Sequence, residues 1–165
     1  MSRLCSASSA SALLLAGGSL LAGGDATAQE SLCMPGETIV FSCQIGPKLV
    51  SLCRPQTLQQ SLIYRFGSHA GVELAVPAPG ESPSPVFRLS SAPLIGGGET
   101  AVTVERGGYE YRIYSKVGRS EGTQGVPEFE DGIVVSRGGK VSRQMICDDG
   151  GAGFRESLDW LAQPR

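Results

Sequence analysis

The sequence predicts an antiparallel all-β domain, on three observations. Beyond residue 36 the apolar residues recur with a period of two, in runs rich in Val, Ile, Tyr and Phe. Short Gly- and Pro-containing stretches of hairpin length separate the runs. The one helical pattern is a brief segment at the C-terminus. About eight strand signals in sequential hairpins imply a meander, closed as a barrel or folded as a two-sheet sandwich, and periodicity does not separate those two.

Residues 1–28 precede this pattern. They carry one early positive charge (Arg3), an apolar small-residue run SALLLAGGSLLAGG, and Ala26-Thr27-Ala28, the small-x-small pattern that signal peptidase accepts. The run is short for a membrane span, so the stretch reads as a cleaved secretory signal in preference to an uncleaved anchor. A lipoprotein fits less well, because Cys5 precedes the run and Cys33 lies beyond a polar stretch. Residues 29–165 are then a single domain, without a later apolar run long enough to cross a membrane. Arg3 and Asp25 are the charged residues of the signal, which leaves 13 basic side chains against 15 acidic. That balance argues against an electrostatic nucleic-acid binder.

In the first hairpin, ETIVFSCQIGPKLVSLC, alternation places Ile39, Phe41 and Cys43 on one face. A turn centred on Pro47-Lys48 returns the chain through residues 49–53. In the second, Leu62, Tyr64 and Phe66 alternate with Ile63 and Arg65. Residues 67–71 link them to Val72, Leu74 and Val76. The stretch 77–85, PAPGESPSP, has too little apolar content to pack and reads as a flexible loop. A short extended piece over 86–89 precedes the run Gly96-Gly97-Gly98.

The third hairpin is the cleanest. A two-residue Gly107-Gly108 turn pairs Val104 with Tyr111 and Val102 with Ile113, and glycine tolerates the positive φ that a type I′ turn needs at both positions. The fourth is read with a three-residue loop, Arg137-Gly138-Gly139, which sets Val135 against Val141. It also puts Met145 and Cys147 on Val141's face. In the tail, Phe154, Leu158 and Leu161 fall at helical spacing, as a lid closing one end of the sheet structure. V-x-R-G-G occurs at Val104 and again at Val135, and is read as two hairpins using the same turn.

Four cysteines remain after the signal: Cys33, Cys43, Cys53 and Cys147. An even number in an exported chain implies two disulfides formed in an oxidising compartment. A metal site is disfavoured, since no two are two to four residues apart and the only histidine, His69, is remote from them. With the turn at Pro47-Lys48, Cys43 opposes Leu52. Cys53, one step along the ladder, then points to the other face. Cys33 precedes the strand at the open end where Cys53 arrives. The expected bridges are therefore Cys33–Cys53 and Cys43–Cys147, with Cys43–Cys53 and Cys33–Cys147 as the second choice.

No motif announces catalysis or a cofactor. Ser68 and His69 are adjacent in a turn, without the third group that orients a nucleophile–base pair. Acidic residues cluster at Glu128, Glu130 and Asp131, and at Asp148 and Asp149, without the ligand spacing of a calcium loop. Gly96-Gly97-Gly98 lacks the lysine and the strand-to-helix setting of a phosphate loop. Among the tyrosines, Tyr109 and Tyr111 face inward, whereas Tyr114 faces outward. An exposed Tyr114 with Arg112 and Lys116 forms a candidate binding surface, since Tyr and Arg favour interface centres, against the plainer reading of sheet-face packing.

FSCQIGPKLVSLC followed by LIYRFG, with RGGYEYRIYS and a late cysteine, resembles a group of uncharacterised secreted proteins of Gram-negative bacteria. That resemblance implies a periplasmic or exported location and no established activity. More distantly, Phe41-Ser42-Cys43 and Cys147 resemble inhibitors of c-type lysozyme, small β-barrels whose aromatic-x-Cys first strand is bridged to a cysteine near the C-terminus. This chain departs from them. Arg106-Gly107 stands ahead of Tyr109 where they have Ser-Gly before a tyrosine, and Lys116 follows that tyrosine more closely than their lysine does. It also has two additional cysteines and the Pro-rich insert. The expected function is a non-enzymatic, disulfide-stabilised secreted or periplasmic β-domain of unknown role, with a protein or envelope ligand as the candidate partner. Lysozyme inhibition is the alternative and a hydrolase the third option.

Overall fold

The structure is a computed structural model that describes residues 31–58, 60–81, 85–119, 125–148, 150 and 152–162. The expected signal over 1–28, Asp149 and the middle of the Pro-rich stretch lie outside the described residues. The fold is all-β. A four-stranded antiparallel sheet holds β1 (Glu37–Ile45), β2 (Lys48–Pro55), β3 (Ile63–Ser68) and β4 (Gly71–Val76) in sequence order. A five-stranded antiparallel sheet holds β5 (Arg88–Leu94), β6 (Gly97–Arg106), β7 (Tyr109–Gly118), β8 (Glu128–Arg137) and β9 (Lys140–Ile146).

The two sheets bury one shared core. Phe41, Val50, Leu52, Tyr64 and Val76 enter it from the first sheet, and Val102, Val104, Ile113 and Ile133 from the second. Each set lies at alternate positions on its strand, as a half-buried sheet requires. The C-terminal segment closes over β1. The Arg155 N–H donates to the Val40 carbonyl (2.9 Å) and the Asp148 N–H to that of Gln44 (2.8 Å). Those bonds satisfy a sheet edge that would otherwise stay open. Leu158 is buried, Phe154 meets Phe41 at 5.3 Å between ring centroids, and a 3₁₀ turn covers Asp159–Leu161. The spacing of Phe154, Leu158 and Leu161 thus marks a lid, with helical geometry only in its last turn.

Both expected disulfides form, Cys33–Cys53 and Cys43–Cys147, with Cα separations of 5.5 and 5.6 Å. The route to them differs from the expectation. Ile45 pairs with Lys48, so the β1–β2 turn is Gly46-Pro47 instead of Pro47-Lys48, and Cys43 opposes Val50 instead of Leu52. Gly46, at φ +56°, takes the first turn position, which a two-residue II′ loop reserves for glycine. This slip changes the register by two residues, an even number, so every side chain keeps its face. A bulge at Val40 then separates Ile39 from Phe41. Ile39 pairs with Cys53 and leaves the face it was expected to share with Phe41 and Cys43.

The β6–β7 hairpin matches its expected register, with Val104 opposite Tyr111 and Val102 opposite Ile113. The β8–β9 hairpin does not. Its turn is the two-residue Gly138-Gly139, with φ of +56° and +74°, and a bulge at Ser142 sets Val135 against Arg143 instead of Val141. The Ser142 hydroxyl donates to the Val135 carbonyl (2.9 Å) at that irregularity. Met145 and Cys147 still reach the core side, whereas Val141, before the bulge, is 64% exposed. Finally, β5 runs to Leu94, past the expected piece at 86–89. Its SSAP stretch is exposed and carries Pro93, which an edge strand tolerates.

Candidate functional site

The expected binding surface, Arg112, Tyr114 and Lys116, lies on the outer face of the five-stranded sheet, but Tyr114 is not exposed. Only 2% of it reaches solvent, which corrects the exposed tyrosine that alternation suggested and agrees with sheet-face packing. Its ring lies against Gly132, directly opposite on β8, where a Cβ would come within 2.6 Å of the Tyr114 hydroxyl. The Arg112 and Lys116 arms cover it, with their cationic ends 5.7 and 5.8 Å from the ring centre. Both cations are already used: Arg112 pairs with Glu99, and Lys116 with Glu130 at 2.9 Å. The Tyr114 hydroxyl donates to Glu130 (2.7 Å). Burial, and then the Glu130 carboxylate, push the phenol up to about 12. This patch is a self-satisfied polar ladder.

The other sequence candidates are dispersed. Ser68 and His69 sit at the β3–β4 turn, where the Ser68 hydroxyl accepts the Ala70 N–H. Glu128, Glu130 and Asp131 lie on β8 itself, not in a loop. Asp131 is buried and accepts the Gly153 N–H (2.7 Å), and Asp148 accepts that of Gly46 (2.5 Å). These carboxylates hold the C-terminal segment in place. Cys33, Cys53 and Glu37 bring ligand-type atoms within 4.8 Å of one another, but both sulfurs are consumed in a disulfide. The Glu37 carboxylate is occupied by a bidentate Arg65 guanidinium (2.5 and 2.8 Å) and by the Met34 N–H.

Sequence reasoning missed a cleft of about 410 Å³ between β3–β4 of one sheet and β7–β9 of the other. Tyr64, Phe66 and Leu74 supply one wall. Tyr109, Tyr111, Val135 and Met145 supply the other. Tyr64 and Tyr111 approach to 5.3 Å between ring centroids, and Tyr109 lies 6.5 Å from Tyr111, so three phenol rings run in series along the cleft. Arg143 stands at the mouth, where the bulge at Ser142 has turned it toward the inner face. Arg137 lies over the Tyr109 ring at 5.0 Å and donates to its hydroxyl at 3.4 Å.

No family model matches the chain, and searches of curated proteins and of solved structures return no significant match.

The lining defines what the cleft can do. Burial, and next the neighbouring Tyr111, raise the Tyr64 phenol well above its ordinary value. Burial and Tyr109 raise Tyr111 against the opposing pull of Arg106. Both hydroxyls are therefore neutral donors across the physiological range. The lining offers ring faces, aliphatic contact, hydroxyls and a guanidinium, and neither carboxylate nor imidazole. The signal in the sequence was Tyr109 and Tyr111 on the inner face. It had to be joined with Tyr64 and Phe66, which sit more than 40 residues earlier.

Proposed function

We propose that the protein is a non-enzymatic, secreted or periplasmic binding domain whose ligand site is the aromatic cleft between the sheets. The cleft carries this reading. Its volume falls in the range of roughly 300–1,000 Å³ seen for small-molecule sites, and its apolar walls with a few polar groups match their usual chemistry. Two supports are independent of the cleft. The paired disulfides suit an oxidising compartment, and among the described residues no helix is long and apolar enough to cross a membrane. Neither His69 nor any carboxylate lines the cleft, and Asp131 and Asp148 are engaged in holding the chain together.

The test is titration of the oxidised protein with an uncharged apolar fluorophore such as N-phenylnaphthylamine. Saturable binding at one site is expected, lost in Leu74→Arg on the cleft wall and kept in Val141→Arg on the outer face. Absence of saturable binding, or equal loss in both variants, overturns the reading. Lysozyme inhibition keeps one point in its favour, the Cys43–Cys147 bridge from the aromatic-x-Cys strand to the chain's end. A turbidity assay with c-type lysozyme separates it from the cleft reading.

A further inference from the structure

An aromatic cleft by itself does not fix the charge of its ligand. Several rings in series suit a quaternary ammonium, as in methyl-lysine cages, and they equally suit an aliphatic chain. The charges around the cleft decide between them. Lys48, 5.9 Å from the Phe66 ring, is matched by Glu73, and Arg106, near Tyr111, by Glu81. Arg137 and Arg143 have no carboxylate partner among the described residues, and both face the cleft side of the β8–β9 hairpin. Lys140 opposes Arg137 across the turn and adds a third cation. The mouth therefore carries uncompensated positive charge, which repels a cationic ligand and attracts an anionic one.

Resting on the cleft as the binding site, we propose that its ligand is a long-chain carboxylate. Its aliphatic tail lies against Tyr64, Tyr111 and Met145, and its head is held by Arg143 and Arg137. A guanidinium is suited to this, because its planar fork matches a carboxylate with two parallel N–H···O bonds. Arg137 is already steered by Tyr109, which lowers the cost of ordering it on the ligand.

Calorimetric titration of the oxidised protein with laurate, dodecanol and dodecyltrimethylammonium, each below its aggregation limit, tests this. Laurate is expected to bind at one site, dodecanol roughly tenfold or more weakly, and the ammonium not at all. In the Arg137→Gln/Arg143→Gln variant the laurate affinity is expected to fall by about the same factor while that of dodecanol holds. Arg88→Gln, on the opposite face, leaves both unchanged. Equal affinity for laurate and dodecanol, tighter binding of the ammonium, or an unaffected double variant overturns the carboxylate while leaving the cleft as a binding site. Failure of both laurate and dodecanol to bind overturns the cleft reading as well.

Discussion

The outer faces of the two sheets each bury a polar side chain, by opposite means. On the four-stranded sheet the residue is Arg65, and what covers it is chain. Residues 31–36 run across the face, the Leu32 N–H donates to Ser51 Oγ (3.0 Å), Cys33 is bonded to Cys53, and Glu37 meets the guanidinium. On the five-stranded sheet the residue is Tyr114, and what covers it is side chain alone, the arms of Arg112 and Lys116 over a recess left by Gly132. A charge in a nearly dry site needs a fixed partner, because leaving it unpaired costs several kcal/mol. A phenol needs one acceptor and tolerates mobile cover. The cysteines follow the same division. Three of the four belong to the four-stranded half, and Cys147 follows the last strand of the other sheet.

The largest test of this division removes the bridge between the halves. Cys43–Cys147 closes 104 residues and Cys33–Cys53 only 20. By chain entropy a loop on the order of 100 residues contributes about 4.7 kcal/mol and one of about 15 residues roughly 3. Against a net stability of about 5–15 kcal/mol, Cys43→Ala/Cys147→Ala is expected to unfold at a much lower urea concentration than Cys33→Ala/Cys53→Ala. If the two double variants lose equally, the short bridge contributes more than loop closure, by pinning the cover over Arg65.

Next in size is Arg65→Ala, which strands Glu37. A cost of about 3 kcal/mol is expected, near the low end for a buried pair because Glu37 keeps the Met34 N–H. Burial raises the Glu37 carboxyl, but the Arg65 guanidinium and the Met34 N–H outweigh it and hold it below the ordinary value. A carboxyl depressed in the folded state stabilises above its unfolded pKa of about 4.3, and that contribution is lost as pH falls through the folded value. Without Arg65 only burial and one N–H remain, so the carboxyl rises. Urea midpoints of the wild type and Arg65→Ala should thus converge between neutral pH and about pH 3. A gap that stays constant with pH would mean that the loss comes from packing of the arginine stem.

The contrast between the faces also explains how far the sequence could be read. Alternation carried the strands and the inward set Phe41, Val102, Val104 and Ile113, since burial on one face leaves a period-two record. The disulfides were legible because face is a parity, and the Gly46-Pro47 slip moved the register by an even step. The bulges at Val40 and Ser142 were not. Each adds one residue with no composition of its own, and each reverses the facing of the residues on one side of it, as Ile39 and Val141 show. The cleft was illegible for a different reason: Tyr64 meets Tyr111 only because two separate ladders share one core. Tyr114's burial was hidden in Gly132, whose missing side chain is visible in sequence but whose partner across the ladder is not.

The smallest effects belong to that recess. At Gly132 an added Cβ would stand 2.5 Å from the Met145 carbonyl oxygen as well as against Tyr114, so Gly132→Ala must shift backbone, at an expected cost of about 2 kcal/mol. Tyr114→Phe keeps the ring over the glycine and deletes only the hydroxyl. Glu130 then retains Lys116, and a loss of about 1 kcal/mol is expected by urea denaturation. The informative measurement is the double-mutant cycle of Gly132→Ala with Tyr114→Ala. If the glycine serves mainly to seat the ring, Gly132→Ala costs less once the ring is gone, a coupling of about 1 kcal/mol. If the cost is unchanged, the Met145 carbonyl sets the requirement. The five-stranded face would then be held by strand spacing, and its tyrosine would fill a recess that the backbone had already made.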